Sequence, residues 1–309
     1  MALPSLIIGF IAGLSSLLLF AASVVGASLA LPLLMLSPLP IAIGSLGWGT
    51  YAGFTAAAAG TVGLAFATSL TTGAFYAFAF AVPTAYLCHC VGLSRVSDDG
   101  QNEEWFPMGG VFLRAILYGA GLVGIGLIVA EFDPSRLSST LSDELQNLPN
   151  AIEPDMEETV RRLIGVYVTL IPYTAPMVWL AIMCFNIWAA MKIVRASDRL
   201  RRPSTDFSGV DLPLLILGIF IAALIVSMAG PPLSFIGAAF VGSIAMALTL
   251  IGFITMHVIT RKLQTRTILL ATLYITTLLF SFPLLIMLGL GIADLGLKIR
   301  QRYIAANPS

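Results

Sequence analysis

Apolar runs of roughly bilayer length alternate with short polar connectors along nearly the whole chain, a pattern that predicts membrane-spanning helices rather than a soluble fold. Runs at about 4–25, 50–70, 72–92, 109–130, 163–192, 212–229 and 233–258 each read as one span. A short element near 38–49 and the run 267–297 complete the pattern. The expected architecture is therefore an all-α, polytopic transmembrane helix bundle with about eight to ten crossings. The first run starts close to Met1 with no basic segment ahead of it, so it reads as a span rather than a cleaved signal peptide.

Small and helix-breaking residues refine this picture. Gly9 and Gly13 lie four residues apart on one face of the first run, the spacing that lets helix backbones approach closely in lipid. Between 26 and 49 the chain carries Pro32, Pro38, Pro40, Gly44, Gly47 and Gly49, which predicts a short broken helix at 38–49. Broken backbone at membrane depth must be shielded by protein or face a cavity. Pro40, Gly44, Gly47 and Trp48 are thus candidate ligand-binding residues, with a simple kinked helix pair as the alternative. Gly230, Pro231 and Pro232 predict a tight turn between the spans 212–229 and 233–258. The run 267–297 reads as one kinked span, which would leave Lys298, Arg300 and Arg302 on the outer side; a break at Pro283 would return them inside.

Composition agrees with the pattern. Hydrophobic residues make up 58% and charged residues 10% of the chain, and mean hydropathy is +0.95, leaving a water-soluble fold too little polar surface. Residues 1–309 are read as a single integral membrane domain. The connector 131–160 is strongly acidic and is read as external; within it Leu137, Leu141, Leu145 and Leu148 recur at helical spacing, which predicts an amphipathic surface helix that either lies in the interface or covers a cavity. Lys192, Arg195, Arg199, Arg201 and Arg202 form the densest basic cluster, so 193–211 is read as a cytoplasmic basic loop. Arg261, Lys262 and Arg266 fall on the same side by count of spans. Arg114, one turn inside its run, is expected to snorkel back to the headgroups.

Little of the polar inventory suggests chemistry. With balanced charge and no basic tract, no nucleic-acid partner is expected. Cys88, His89, Cys90, Cys184 and His257 have no recognised zinc spacing, so no metal and no cofactor is expected, and the cysteines read as small hydrophobes. No hydrolase triad, phosphate-cradling glycine loop or HExxH helix is present, and no catalytic residues are assigned; the chain is not read as an enzyme. His257 and Asp294 are the intramembrane polar candidates, Asp294 with Lys298 as its expected partner four residues on. Asn186, the buried amide of the 163–192 span, is placed to bond across helices or to a ligand. Convergence of Asp294, His257 and Asn186 is not expected.

The order of several short motifs resembles the YybS-like bacterial membrane-protein family, which is of unknown function. These are PLPIAIGSLGWGTYAG at 38–53, FAVPTAYLCHCVGLSR at 80–95, WFPMGG at 105–110, NIWAAMKIV and RRP between 186 and 203, GFITMHVI at 252–259 and LGLGIADLGLKIR at 288–300. The stretch from Pro38 to Arg95 is also similar to the substrate-binding subunits of energy-coupling-factor vitamin transporters, and that resemblance implies a ligand cavity behind the broken element. Those subunits usually have about six spans, fewer than this chain. The reading is a multi-pass protein of the bacterial inner membrane, embedded in the lipid bilayer, that binds or transports a small molecule. The alternative is a non-transporting scaffold whose membrane-protein partner docks on the Gly9/Gly13 face or on Ala238/Gly242.

Overall fold

A computed structural model describes residues 2–24, 29–97, 102–146, 156–203 and 209–306. In chain order the helices begin with α1 (Ala2–Val24), α2 (Ala30–Leu36), α3 (Leu39–Trp48), α4 (Thr50–Ala67), α5 (Leu70–Tyr76) and α6 (Val82–Val91). The helix between α5 and α6 widens to a π turn over Ala77–Ala81 just ahead of Pro83, which cannot donate to the ladder. Next to it, Thr84 Oγ1 donates back to the Phe80 carbonyl one turn earlier at 2.6 Å. Two short strands, β1 (Ser94–Val96) and β2 (Glu103–Trp105), pair antiparallel with Arg95 opposite Glu104. They stand where a plain polar connector was expected. Then follow α7 (Met108–Val129), α8 (Pro134–Gln146), α9 (Glu157–Ala196), α10 (Leu215–Ser227), α11 (Leu233–Ile259), α12 (Arg266–Leu279), α13 (Phe282–Leu297) and α14 (Ile299–Ala306).

Among the described residues, seven helices are long and apolar enough to cross a bilayer, or eight if α13 and α14, bent by 69°, count as one broken span. The architecture is the expected polytopic helical bundle, and the chain is a multi-pass membrane protein. Phe66 is 89% and Leu278 87% exposed. Side chains of that size are each worth about 1.5–3 kcal/mol when removed from water, so these surfaces require lipid.

The chain forms two compact units. The first contains Met1–Tyr118, Leu180–Leu214 and Ala247–Ser309. Its core starts with α1 on α4: a Cβ at Gly9 would lie 2.5 Å from the Ala52 carbonyl oxygen, and one at Gly13 would strike the Ala56 carbonyl. The close approach read from the glycine spacing is made within the chain. Because α4 covers this face, it is not open to a membrane-protein partner. An aromatic cluster lies deeper, with Phe20 edge-on to Tyr76 at 5.1 Å and 5.8 Å from Phe80. On the far side of the sequence, α11 and α13 cross where a Cβ at Gly252 would meet Met287 backbone and one at Gly291 would meet Leu248 backbone.

The second unit contains Gly119–Trp179 and Leu215–Met246. Here Gly242 faces the backbone of Tyr173 and the ring of Pro176, while Gly237 faces the backbone at Ser227. The Ala238/Gly242 face is therefore also occupied within the chain. The amphipathic helix expected in 131–160 is α8, whose N-terminus is capped by Asp133 through Ser135 N at 2.8 Å. Leu137, Leu141 and Leu145 lie on it; Leu148 falls outside the described residues.

The short broken element lies where it was expected, and two other expectations change. The broken element is α3, set off from α2 by Ser37 and Pro38 and from α4 by Gly49, whose φ of 91° lies in the region that favours glycine. The span expected at 212–229 shortens to α10, because Pro213 holds the residue before it out of helix. The largest difference is at 267–297, where the chain breaks at Phe280 and Ser281 into α12 and α13 rather than continuing as one kinked span. At about 21 and 24 Å, neither reaches the roughly 30 Å hydrocarbon thickness alone.

Candidate functional site

The residues singled out around α3 serve packing. A Cβ at Gly44 would sit 3.3 Å from Ala12 Cβ, and one at Gly47 would sit 3.6 Å from Val194. Pro40 starts the helix in its first turn, where a missing N–H costs nothing. Trp48 receives the Arg199 guanidinium over its ring at 4.7 Å. Neighbouring helices thus fill the volume beside Gly44 and Gly47.

Asn186 explains how the break before α3 is tolerated. Its Nδ2 donates to the Met35 carbonyl at the end of α2 and to the Ile182 carbonyl, both at 2.8 Å. Ser16 Oγ donates to the Ser37 carbonyl and meets Tyr76 Oη. Side chains from α1 and α9 thereby serve carbonyls at a helix interruption that water cannot reach. Asn186 is interhelical glue, and its Oδ1 has no hydrogen-bond partner among the described residues.

His257 pairs through Nε2 with Tyr274 Oη at 2.7 Å, joining α11 to α12, and Phe253 stacks on the same ring at 5.6 Å. Asp294, His257 and Asn186 each have their own partners and are not brought together by any of these contacts.

At Asp294 the structure again departs from expectation. Its partner is Arg300, not Lys298. Arg300 Nε donates to Asp294 Oδ2 at 2.6 Å, and the Arg300 backbone N–H donates to Oδ1 at 2.8 Å. A straight helix would place residues six apart on different faces, but α13 ends at Lys298, held in the left-handed region at φ 55°, and α14 leaves at 69°. The left-handed residue costs a non-glycine about 1–2 kcal/mol. Offsetting this, the Asp294 carboxylate serves an N-terminal N–H of α14 and a guanidinium at once. Both side chains are almost fully buried, at 2% exposed for Asp294 and 3% for Arg300.

The guanidinium reaches further. Nη1 donates to the Val210 carbonyl at 3.0 Å, and Nη2 lies 3.5 Å from Asp211 Oδ1. Gln301 Nε2 donates to the other Asp211 oxygen at 2.6 Å. The C-terminal helix is thus fastened to the end of the 193–211 loop, so Arg300 lies beside that loop and not across the bilayer from it. Beside this cluster is a cavity of about 360 Å³ lined by Asp211, Asp294, Lys298, Arg300, Gln301 and the leucines Leu212, Leu214 and Leu295. Of the residues meeting here, only Asp294 was a candidate from sequence; Asp211 and Gln301 carried no signal in the local pattern.

The same loop is anchored at a second point. Arg202 Nη1 donates to the carbonyls of Val91 at 3.0 Å, closing α6, and Phe106 at 2.9 Å. Partial burial draws its pKa down from the ordinary guanidinium range. Arg114 turns back from α7 onto the Phe106 ring at 4.5 Å and the Tyr86 hydroxyl at 3.2 Å. On the ribbon, Arg95 and Glu104 pair at 2.7 Å, and the hydrogen bond from Arg95 holds the Glu104 carboxyl below its ordinary range.

Compared with protein-family models, with curated proteins and with solved structures, the chain matches none. The reading of its function rests on the residues themselves.

Proposed function

We propose that this multi-pass membrane protein binds, and by binding moves or captures, a small polar solute at the cavity beside the Asp294–Arg300 pair. The observation that carries this is a buried ion pair lining a cavity of about 360 Å³. Ionised side chains are costly within an apolar bundle and mark solute or ion pathways more often than packing. The volume falls in the ordinary range for small-molecule sites, and three leucines supply apolar walls around a few charged groups. The similarity of 38–95 to transporter substrate-binding subunits points the same way. The site itself moves from α3, where the glycines serve helix contacts, to the junction of α13 and α14. The positive-inside rule supports an orientation with 193–211 cytoplasmic and 131–160 external; the bacterial inner membrane follows only from the resemblance to a bacterial family.

Native mass spectrometry of the full chain released from neutral detergent tests the proposal. A retained small molecule that disappears in Asp294→Asn is the expected result. Absence of any retained mass, together with no thermal stabilisation by a broad panel of polar metabolites, would overturn it.

A further inference from the structure

Two buried oxygens at the interruption before α3 are left over once its packing is explained. Among the described residues four buried side-chain N or O atoms have no hydrogen-bond partner, and two of them, Ser37 Oγ and Asn186 Oδ1, belong to this one place. Hydroxyls in these helices commonly return to the carbonyl four residues back, as those of Thr84, Thr255 and Thr260 do. Ser37 Oγ does not. The Asn186 amide has spent both of its N–H donors on the Met35 and Ile182 carbonyls, so only an acceptor remains to it. That oxygen, on the same planar group as Nδ2, lies within about 5 Å of the Met35 carbonyl oxygen.

The backbone brings further oxygens to the same point. Pro38 has no N–H for the Leu34 carbonyl, which takes the Ser37 N–H instead at 3.2 Å. Pro40 likewise has none for the Leu36 carbonyl four residues before it. The Ser37 carbonyl is served by Ser16 Oγ, which also meets Tyr76 Oη. Ser16, Ser37, Tyr76 and Asn186 are all fully buried. A site rich in acceptors and nearly without spare donors disfavours an anion and favours a cation.

Depth agrees with this reading. The cytoplasmic ends of α3 and α9 lie side by side, since Arg199, just beyond α9, covers the Trp48 ring at 4.7 Å. Counted back from those ends at 1.5 Å per residue, Ser37 and Asn186 are each about 15–17 Å deep. That is the middle of a hydrocarbon layer of roughly 30 Å, the level at which interrupted helices of transporters hold coupling ions on free carbonyls and hydroxyls. The donor set narrows the ion. Among the described residues no three His, Cys, Asp or Glu side chains come together, so a divalent or soft metal would lack the carboxylates, imidazoles or thiolates it needs. Neutral oxygens suit a hard ion of single charge.

We infer that a monovalent alkali cation, sodium or potassium, binds at this interruption on Ser37 Oγ, Asn186 Oδ1 and the Leu36 carbonyl. The ion joins α9 to the break between α2 and α3 and satisfies oxygens that no side chain serves. This site shares no residue with the cavity beside Asp294 and stands apart from the proposal made for it.

The experiment uses the full chain in neutral detergent, first in choline chloride and then in sodium or potassium chloride at equal ionic strength, followed by thermal unfolding. A saturable rise of at least about 3 °C over choline is expected from one alkali ion or both, and the ion that acts at lower concentration is the ligand. Ser37→Ala removes a hydroxyl that bonds to nothing among the described residues, so a purely structural role predicts no change. Here it should keep the parent's unfolding temperature in choline while weakening the apparent affinity for the ion at least tenfold. Ser45→Ala is the control: its hydroxyl is also buried without a partner but lies about two turns further on, in α3, and the parent's response should persist. Equal unfolding temperatures in all three salts would assign the oxygens to bound water and overturn the inference. A response undiminished in Ser37→Ala, or lost equally in Ser45→Ala, would overturn it as well.

Discussion

At the residue scale, the same physical rule governs three sites: a polar group removed from water needs its partner. Asp294→Ala leaves Arg300 buried with much of its charge compensation gone, and a loss of about 3–5 kcal/mol is expected in detergent unfolding. Asp294→Leu combined with Arg300→Met should regain most of it; a double variant no better than the single would contradict the pairing. Asn186→Ala strips the Met35 carbonyl of its donor and should cost about 1–2 kcal/mol, read in the same assay. Glu104 titrates below its ordinary value because Arg95 donates to it. Its folded midpoint lies below its unfolded one, so the pair stabilises the ribbon above the unfolded carboxylate range, and that contribution disappears as pH falls through the folded midpoint. In Arg95→Gln the Glu104 midpoint should rise, measured by carbon NMR of labelled glutamate; an unmoved midpoint would show the pair to be absent in solution. Asp294 was visible in sequence as a carboxylate inside an apolar run, yet its partner was not. The pairing depends on Lys298 turning left-handed, a backbone state that no local pattern at Gly296–Arg300 advertises.

At the element scale, what could be read was the length and apolarity of α1, α4, α7 and α11, because an uninterrupted run needs only lipid to become a helix. Breaks were harder. Proline positions marked the interruption before α3, but the π turn ahead of Pro83 lies inside a run read as one span, and the stop between α12 and α13 falls at Phe280 and Ser281, two residues ahead of Pro283. The strands β1 and β2 are three residues each, too short for alternation to register against their polar neighbours. Glycine spacing announced a close contact on α1 without naming its partner, since nothing in one face reveals the other. The partner is α4, so Gly13→Leu drives the side chain into the Ala56 carbonyl. Destabilisation of at least about 1–3 kcal/mol is expected, seen as a lowered unfolding temperature of the isolated chain. A stable, fully folded variant that has merely lost a copurifying protein would instead favour the docking-face reading.

At the scale of the whole molecule, the cavity exists only if the chain returns after α13 and lays α14 against residues 210 and 211. A single kinked span across 267–297 would have carried Arg300 and Gln301 to the opposite face, and no solute site of this composition would form. The most direct measurement is a cysteine pair, Asp211→Cys with Gln301→Cys, in a background lacking Cys88, Cys90 and Cys184, oxidised in native membranes. The two side chains touch at 2.6 Å, so an efficient intramolecular cross-link is expected, with each single-cysteine variant as the non-reacting control. Failure of the 211–301 pair to join, with each cysteine modified only from opposite sides of the membrane, would contradict the fold-back and the site built on it.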